Sequence, residues 1–211
     1  MLSGESIIAF VFAAAALSIA PGPDNIFVLT QSALYGRKSG VLITLGLCTG
    51  LIAHTSAVAL GVAAIFQTSQ VAFTVLKVAG ALYLLYLAWQ AFTASPDPTG
   101  GNGSTPRTGG ALYRRGIIMN ITNPKVSIFF LAFLPQFTSP EHGVLAVQIF
   151  LLGALFIAVG LVIFVSIAML AGTLGNWLNR SPKAQIYLNR LAGTAFAGLA
   201  LKLATASVSL E

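Results

Sequence analysis

Two short polar interruptions in otherwise apolar segments contain the residues best suited to chemistry. They are residues 20–25 (APGPDN) and 120–125 (NITNPK), and each combines proline with one ionisable side chain, Asp24 in the first and Lys125 in the second. A carboxylate can hold a cation or a proton, and an ammonium group can hold an anion. Because proline removes a backbone donor and clashes with the preceding turn, each interruption predicts a broken helix.

Lipid restricts where a helix can be broken, because unpaired backbone groups are tolerated only where they pack against protein or line a water-filled cavity. A matched pair of breaks, one in each half of a chain, is typical of a transporter binding site. We therefore predict that a small polar substrate binds at the residues of the two breaks, which are Gly22, Pro23, Asp24, Asn25, Asn120, Asn123, Pro124 and Lys125.

Each polar residue of this set also has a structural interpretation. Asp24 follows a Pro-Gly turn and could cap a helix, but it is the only acid within an apolar segment, and intramembrane acids are functional sites by default. Lys125 could form a structural ion pair with Asp24 or extend toward the membrane surface. The asparagines could satisfy freed backbone groups or hold a polar ligand, and the sequence leaves both roles open.

One histidine, His54, lies within an apolar segment, where helix packing is the more common role of such a residue. With Asp24 it is a candidate for coupling transport to protons. Cys48 is the only cysteine, which argues against a two-thiol electron relay. No spacing of histidines and carboxylates is typical of a metal site, so neither a metal nor another cofactor is expected.

The composition predicts a membrane protein. Of 211 residues, 56% are hydrophobic and 8% are charged, whereas a soluble domain has about 25% charged residues. The formal net charge of +6 resides mostly in short loops, and no basic patch interleaved with exposed aromatics predicts nucleic-acid binding.

The predicted fold is an all-α membrane protein with six transmembrane helices, of which the first and fourth are broken at proline. Each predicted span has at least about 20 residues, enough to cross a bilayer. Residues 93–112 are rich in Gly, Ser, Thr and Pro and are predicted to be a flexible cytoplasmic linker. The single domain 1–211 is thus divided into three-helix halves, 1–92 and 113–211. The spans are 6–34, 41–64, 71–92, 113–137, 144–171 and 189–209.

Basic residues predict the orientation of these spans. Eight of the eleven lysines and arginines fall in or beside the loops after spans one, three and five, and none falls in the two opposite loops. The positive-inside rule then makes the basic loops cytoplasmic and both termini periplasmic. The N-terminal apolar run lacks a preceding positive charge, so we interpret it as a retained span and not as a signal peptide.

The two halves resemble each other weakly and are predicted to be inverted repeats. Pro23-Asp24 in span one corresponds to Pro124-Lys125 in span four. Residues 77–83 (KVAGALY) open span three, and residues 190–196 (RLAGTAF) open span six with a cation, Ala-Gly and an aromatic in the same register. With three spans in each half, the halves must enter the membrane in opposite directions.

Several motifs together resemble the LysE/RhtB family of amino-acid exporters. They are SIAPGPDN followed by QSALYGRKSGV, the Gly46-x-x-x-Gly50 pattern, KVAGALYLLYLAW, and the NPK of span four, and the resemblance covers essentially the whole chain. It implies six helices in the bacterial inner membrane and efflux of amino acids or close relatives, driven by protons or by the membrane potential. Some members carry an acid after the glycine pair, where this chain has Leu51, so a basic substrate is less expected.

The leading hypothesis is a secondary transporter that exports amino acids, by proton antiport. Small neutral zwitterions such as threonine, homoserine or leucine are favoured, and a basic substrate remains open. One alternative is a membrane enzyme that uses Asp24, Lys125 and His54, and another is a non-transporting sensor or assembly subunit. The expected partners are an amino acid, protons, lipid and, in a possible homodimer, a second copy of the chain.

Overall fold

The computed structural model describes residues 2–68, 70–95 and 108–205, and in this part of the chain it is all-helical, as predicted. Helix α6 continues through a π-helical turn at Phe129–Phe133 into a 3-10 turn at Leu134–Phe137, and another 3-10 turn covers Pro140–His142. The helices are α1 (Gly4–Ile19), α2 (Pro23–Tyr35), α3 (Arg37–Thr68), α4 (Gln70–Thr93), α5 (Gly109–Ile121), α6 (Pro124–Ile128), α7 (Leu145–Arg180) and α8 (Pro182–Thr205).

Both predicted breaks are present. The chain bends by 58° between α1 and α2 and by 50° between α5 and the helical stretch that begins at Pro124. Each second helix has proline in its first turn, where the missing N–H costs nothing and the fixed φ suits a helix. Proline therefore ends one helix and starts the next at each break.

Among the described residues, two helices are long and apolar enough to cross a membrane by themselves, over Arg37–Gly61 of α3 and Leu145–Thr173 of α7. Each bent pair meets the same test when it is taken as one span, which raises the number to four. Helix α4, with 24 residues, covers the predicted third span. Helix α8 starts earlier than the predicted sixth span, at Pro182 and not at residue 189, because the Ser181 side chain caps it and proline suits the first helical position. Residues 96–107 of the predicted linker lie outside the described residues. Helix α5 begins at Gly109, so the last residues of the predicted linker, 109–112, are helical.

The outer surface carries many large apolar side chains. Phe12 is 73% exposed and Leu60 is 77% exposed, and similar residues occur on every long helix. Soluble monomers rarely expose so much contiguous apolar area, so this surface is suited to lipid.

Close packing of α3 on α5 positions the second break. A Cβ atom at Gly46 would collide with the backbone oxygen of Tyr113, and one at Gly116 would collide with that of Ile43. A Cβ at Gly50 would lie 2.7 Å from the Cβ of Asn120. The Gly46-x-x-x-Gly50 pattern therefore marks a helix contact within the fold, and it brings Asn120 against α3.

An aromatic cluster joins α1, α7 and the helical extension after α6. The ring of Phe10 lies 5.2 Å from that of Phe137, and Phe129 lies 5.3 Å from Phe156. These side chains are almost completely buried. The cluster packs the segment that follows Lys125 against the first helix of the chain, so that the two breaks meet.

Candidate functional site

The carbonyl groups freed by the first break are bound by side chains from both breaks. In an unbroken helix the Leu17 carbonyl would accept from residue 21, but Pro21 has no N–H. The Lys125 ammonium instead donates to the Leu17 carbonyl at 3.1 Å and to the Ala20 carbonyl at 3.0 Å. A cation at a helix C-terminus is also favoured by the helix dipole. Lys125 thus stabilises the end of α1, although it lies about a hundred residues further along the chain.

The Asn25 amide performs the same task for the next carbonyl. It donates from Nδ2 to the Ser18 oxygen at 2.7 Å, within the protein interior. Asn25 therefore satisfies a freed backbone group, which is the structural role that the sequence left open for the asparagines. Its Oδ1 atom has no hydrogen-bond partner.

The two helices that follow the breaks start in the same way. Gly22 is the N-cap of α2, and Asn123 is the N-cap of α6 and accepts from the Lys125 N–H at 3.0 Å. Proline follows each cap, and a charged residue follows each proline. Asp24 therefore lies in the first turn of α2, where the helix dipole favours an anion.

A hydrogen bond connects the two breaks directly. The Asn123 amide donates from Nδ2 to Oδ2 of Asp24 at 2.9 Å. Asp24 is 4% exposed and Lys125 is 8% exposed. Lys125 uses two of its donors on carbonyl groups and none on this carboxylate, so within the described residues two separate sets of contacts stand in place of the structural ion pair that was the alternative interpretation.

Unpartnered polar atoms are concentrated at the breaks. In the part of the chain that the structure describes, the buried side-chain nitrogen or oxygen atoms without a hydrogen-bond partner are Ser18 Oγ, Asp24 Oδ1, Asn25 Oδ1 and Asn120 Oδ1. Buried polar atoms are normally paired, and exceptions call for a specific explanation. All four can accept hydrogen bonds, so this group of atoms is suited to a ligand rich in donors, such as an ammonium group.

A small cavity, called the inner cavity below, lies beside these acceptors. It has a volume of about 20 Å³, and a cavity needs roughly 10–15 Å³ to hold one water molecule. The polar lining consists of Ser18, Asp24, Asn120 and Lys125, and the other side is formed by Leu17, Leu47, Cys48, Leu51, Val126, Phe156, Gly160 and Phe164.

The predicted site residues are therefore brought together. Asp24, Asn120 and Lys125 line the inner cavity, while Asn25 and Asn123 hold the backbone and the carboxylate around it. Gly22 provides space, because a Cβ atom there would lie 3.2 Å from the Lys125 nitrogen. Pro23 and Pro124 start the two helices.

His54 is at the edge of this arrangement. Its Nε2 atom lies 3.2 Å from the carbonyl oxygen of Asn120, and its ring packs at 5.7 Å from the ring of Phe130. His54 does not line the inner cavity. These contacts connect α3 to the end of α5, and a role of His54 in coupling stays a prediction.

A family model described as a LysE type translocator matches residues 15–207, which include both breaks. The chain belongs to the LysE family. It is a translocator of this family and not an enzyme. No solved structure matches the chain.

Curated relatives of this LysE-family chain cover nearly its whole length. A homoserine/homoserine lactone efflux protein of Salmonella typhimurium is 34% identical over 198 residues, which are 94% of this chain and 95% of the relative. A leucine efflux protein of the same organism is 32% identical over 192 residues, 89% of each chain. An uncharacterized membrane protein of Vibrio cholerae is 31% identical over 199 residues, 94% of this chain and 96% of the relative.

Sequence reasoning missed several residues around the LysE-family inner cavity. Ser18 precedes the first break and carried a weak signal, since small polar residues are common in apolar helices. Phe156, Gly160 and Phe164 of α7 carried none, because their segment is uniformly apolar and contains no break. Among the described residues, no group of three His, Cys, Asp or Glu side chains could hold a metal ion.

Proposed function

We propose that this LysE-family protein is a secondary exporter of small neutral amino acids, which binds its substrate as a zwitterion between the two helix breaks. The observation that carries the proposal is the cluster of unpartnered acceptors, Asp24 Oδ1 among them, beside a buried ammonium group from the opposite break. The two charges of an amino acid match these two features.

The acceptor cluster is assigned to the substrate's ammonium group. Asp24 supplies the negative charge, and the oxygens of Ser18, Asn25 and Asn120 supply further acceptors. Asn123 fixes the orientation of the carboxylate through its 2.9 Å hydrogen bond. The relatives named above are efflux proteins for homoserine or its lactone and for leucine. These three compounds share a primary amino group, whereas the lactone has no free carboxylate.

Lys125 is assigned to the substrate's carboxylate. An ammonium group has three N–H donors, and two of those on Lys125 bind the carbonyls of Leu17 and Ala20. The third is suited to an anion. The remaining wall of the inner cavity is apolar at Leu47, Leu51 and Phe156, which favours a short neutral substrate side chain over a basic one.

The inner cavity must expand to admit such a substrate. Ligand pockets usually have about 300–1,000 Å³, and this cavity has about 20 Å³. The structure therefore corresponds to a state that is closed around Asp24. Alternating access, in which one half of a transporter moves against the other around a fixed site, supplies the required opening.

We assign proton coupling to Asp24, the only acid within the apolar segments. A proton and a substrate ammonium group compete for the same carboxylate, so the two loads alternate and antiport follows. His54, through its contact with the Asn120 carbonyl, is the second coupling candidate.

The proposed architecture is six transmembrane spans in two inverted repeats. Two observations support it: both breaks have the order cap, proline, charged residue, and the equivalent glycines Gly80 and Gly193 have reciprocal positions. A Cβ at Gly80 would collide with Ala132 of the π-helical turn and lie 3.1 Å from Leu203 of α8, and a Cβ at Gly193 would lie 3.0 Å from Phe92 of α4. The proposed location is the bacterial inner membrane, with both termini periplasmic and the basic loops in the cytoplasm.

An efflux screen tests the proposal. Cells that overproduce the protein are loaded with each of the twenty amino acids and with homoserine, and release is measured against cells with the empty vector. We expect faster release of small neutral amino acids without chemical change, reproduced by purified protein in vesicles. Binding without flux, or release no faster than from cells with the empty vector, would refute the proposed export.

A further inference from the structure

A second and larger cavity lies between α4, α8 and the first break. Its volume is about 490 Å³, within the range of about 300–1,000 Å³ that is usual for small-molecule sites. Its wall includes Trp89 and Gln90 of α4, Asn189 and Phe196 of α8, and Pro21. We call it the α4–α8 cavity. It is large enough for an amino acid, unlike the inner cavity.

The α4–α8 cavity lies near the C-terminal end of α4 and the N-terminal part of α8, two helix ends beside which the sequence places basic residues. Gln90 is close to the C-terminus of α4 at Thr93, and Asn189 is in the first turns of α8, beside Arg190. In the orientation proposed above, these ends face the cytoplasm, where an exporter must collect its substrate.

Lys125 is the one residue, among those described, that lines both cavities. Its ammonium group is held between them by the Leu17 and Ala20 carbonyls at the end of α1. These carbonyls are neutral acceptors, and hydrogen bonds between ionised partners are stronger than those to neutral groups. A carboxylate that arrives through the α4–α8 cavity can therefore compete with them for Lys125.

We propose that the α4–α8 cavity is the entrance by which an amino acid reaches the site, and that Lys125 is the gate between this entrance and Asp24. The substrate's carboxylate draws Lys125 away from α1, and the path toward Asp24 opens. This inference rests on the proposed function and adds the route of the substrate and a gating role for Lys125.

The entrance is tested by cysteine labelling, which needs no transport. Asn189→Cys is made in a Cys48→Ala background, with Leu191→Cys as the matched control, since Leu191 is on the exposed apolar surface of the same helix that is suited to lipid and is out of reach of a water-soluble reagent. An impermeant cationic thiol reagent is applied to membrane vesicles of each orientation. We expect Asn189→Cys to react at least about tenfold faster than the control from the cytoplasmic face only. Equal rates for the two positions, or reaction only from the other face, would overturn the proposed entrance.

The gate is tested with the native Cys48, which lines the inner cavity and is buried. Lys125→Met keeps the length of the side chain but removes its charge and its donors, and Lys125→Arg keeps both. We expect Cys48 to be modified from the cytoplasmic face at least about tenfold faster in Lys125→Met than in the wild type, with Lys125→Arg close to the wild type. Unchanged labelling in a Lys125→Met protein that elutes as the wild type does on size exclusion would refute the gate.

A filling substitution links the entrance to export. Ala91→Trp adds an indole ring to the wall of the α4–α8 cavity, and Leu82→Trp adds one to an exposed position on the same helix. We expect Ala91→Trp to stop export and Leu82→Trp to leave it unchanged. Normal export by Ala91→Trp would refute the proposed entrance but not the proposed function. A wild-type protein that exports no amino acid would refute the proposed function, and the two labelling tests would still be valid.

Discussion

Asp24 and Lys125 have opposite charges, yet each is stabilised by a different part of the fold. Asp24 lies at the start of α2 and accepts from Asn123, while Lys125 binds carbonyls at the end of α1. Helix ends favour charges of these signs. Because the two side chains do not neutralise each other through a direct hydrogen bond, both keep the capacity to bind a charged ligand.

The first prediction concerns the charge of Asp24. In Asp24→Asn the new amide oxygen can still accept from Asn123, so we expect normal insertion and folding. Efflux should be abolished, because the substrate's ammonium group loses its counter-charge. Glu5→Gln, which removes an exposed acid at the start of α1, should export normally. Efflux is measured in vesicles with an imposed proton gradient, and export by Asp24→Asn against a substrate gradient would refute the assignment.

The second prediction concerns the space at Gly22. Its φ of −173° is accessible to any residue, so glycine is not required here by its backbone conformation. A Cβ atom would lie 3.2 Å from the Lys125 nitrogen, and a larger side chain would displace the ammonium group. Gly22→Leu should therefore abolish efflux with insertion intact, while Gly198→Ala, with no atom within 4 Å of its new Cβ, should have no effect. Wild-type efflux by Gly22→Leu would show that the break only bends the helix.

At the scale of elements, each broken helix depends on the neighbour that packs against it. The second break is held on α3 by glycines that allow backbone to touch backbone, at Gly46 and Gly116, and by Gly50 beneath Asn120. Helix contacts through small residues are a common way to join apolar helices in lipid. The position of Asn120, and through it part of the site, is therefore determined by α3.

The third prediction tests this helix contact. Gly46→Ala should lower the melting temperature of the purified protein, since overpacking against a rigid backbone costs about 1–3 kcal/mol. Gly61→Ala is the matched control on the same helix, because no atom lies within 4 Å of its added Cβ. Alanine is favoured over glycine in a helix by about 1 kcal/mol, so this control should be as stable as the wild type or more so. Equal stability of the two variants would contradict the proposed contact.

At the scale of the whole molecule, the two halves of the chain share one site. The first half contributes Asp24 and the carbonyls at the end of α1, and the second contributes Asn123 and Lys125, which bind them. Neither half contains the whole of this candidate site, so in the proposed mechanism relative movement of the halves would open or close it. This is the geometry that alternating access requires.

The fourth prediction concerns the proposed orientation. In a Cys48→Ala background, cysteine is introduced at Glu141 or at Lys38, both of which are exposed. The turn with Glu141 should face the periplasm, and the start of α3 with Lys38 should face the cytoplasm. In intact cells an impermeant thiol reagent should therefore modify Glu141→Cys and spare Lys38→Cys until the membrane is permeabilised. The reverse pattern would overturn the orientation and the direction of both halves.

The two helix breaks of the candidate site were predictable from the sequence, because the residues that cause them are adjacent in the chain. Proline breaks a helix wherever it lies in the interior of one, and a charge in an apolar segment is costly wherever it lies in the chain. Residues 20–25 and 120–125 therefore identified the breaks and the polar residues beside them, and the apolar composition identified a membrane protein.

Only the tertiary structure decided what these residues contact. The sequence permitted an ion pair between Asp24 and Lys125, but the fold brings Lys125 to the carbonyls of Leu17 and Ala20 and brings Asn123 to Asp24. The sequence also did not predict that α7 forms part of the apolar wall of the inner cavity, or that a cavity lies between α4 and α8. The physical reason is that such contacts depend on how helices distant in the chain pack together. An apolar helix surface can pack against many other apolar surfaces, so its own sequence does not specify which helix it contacts.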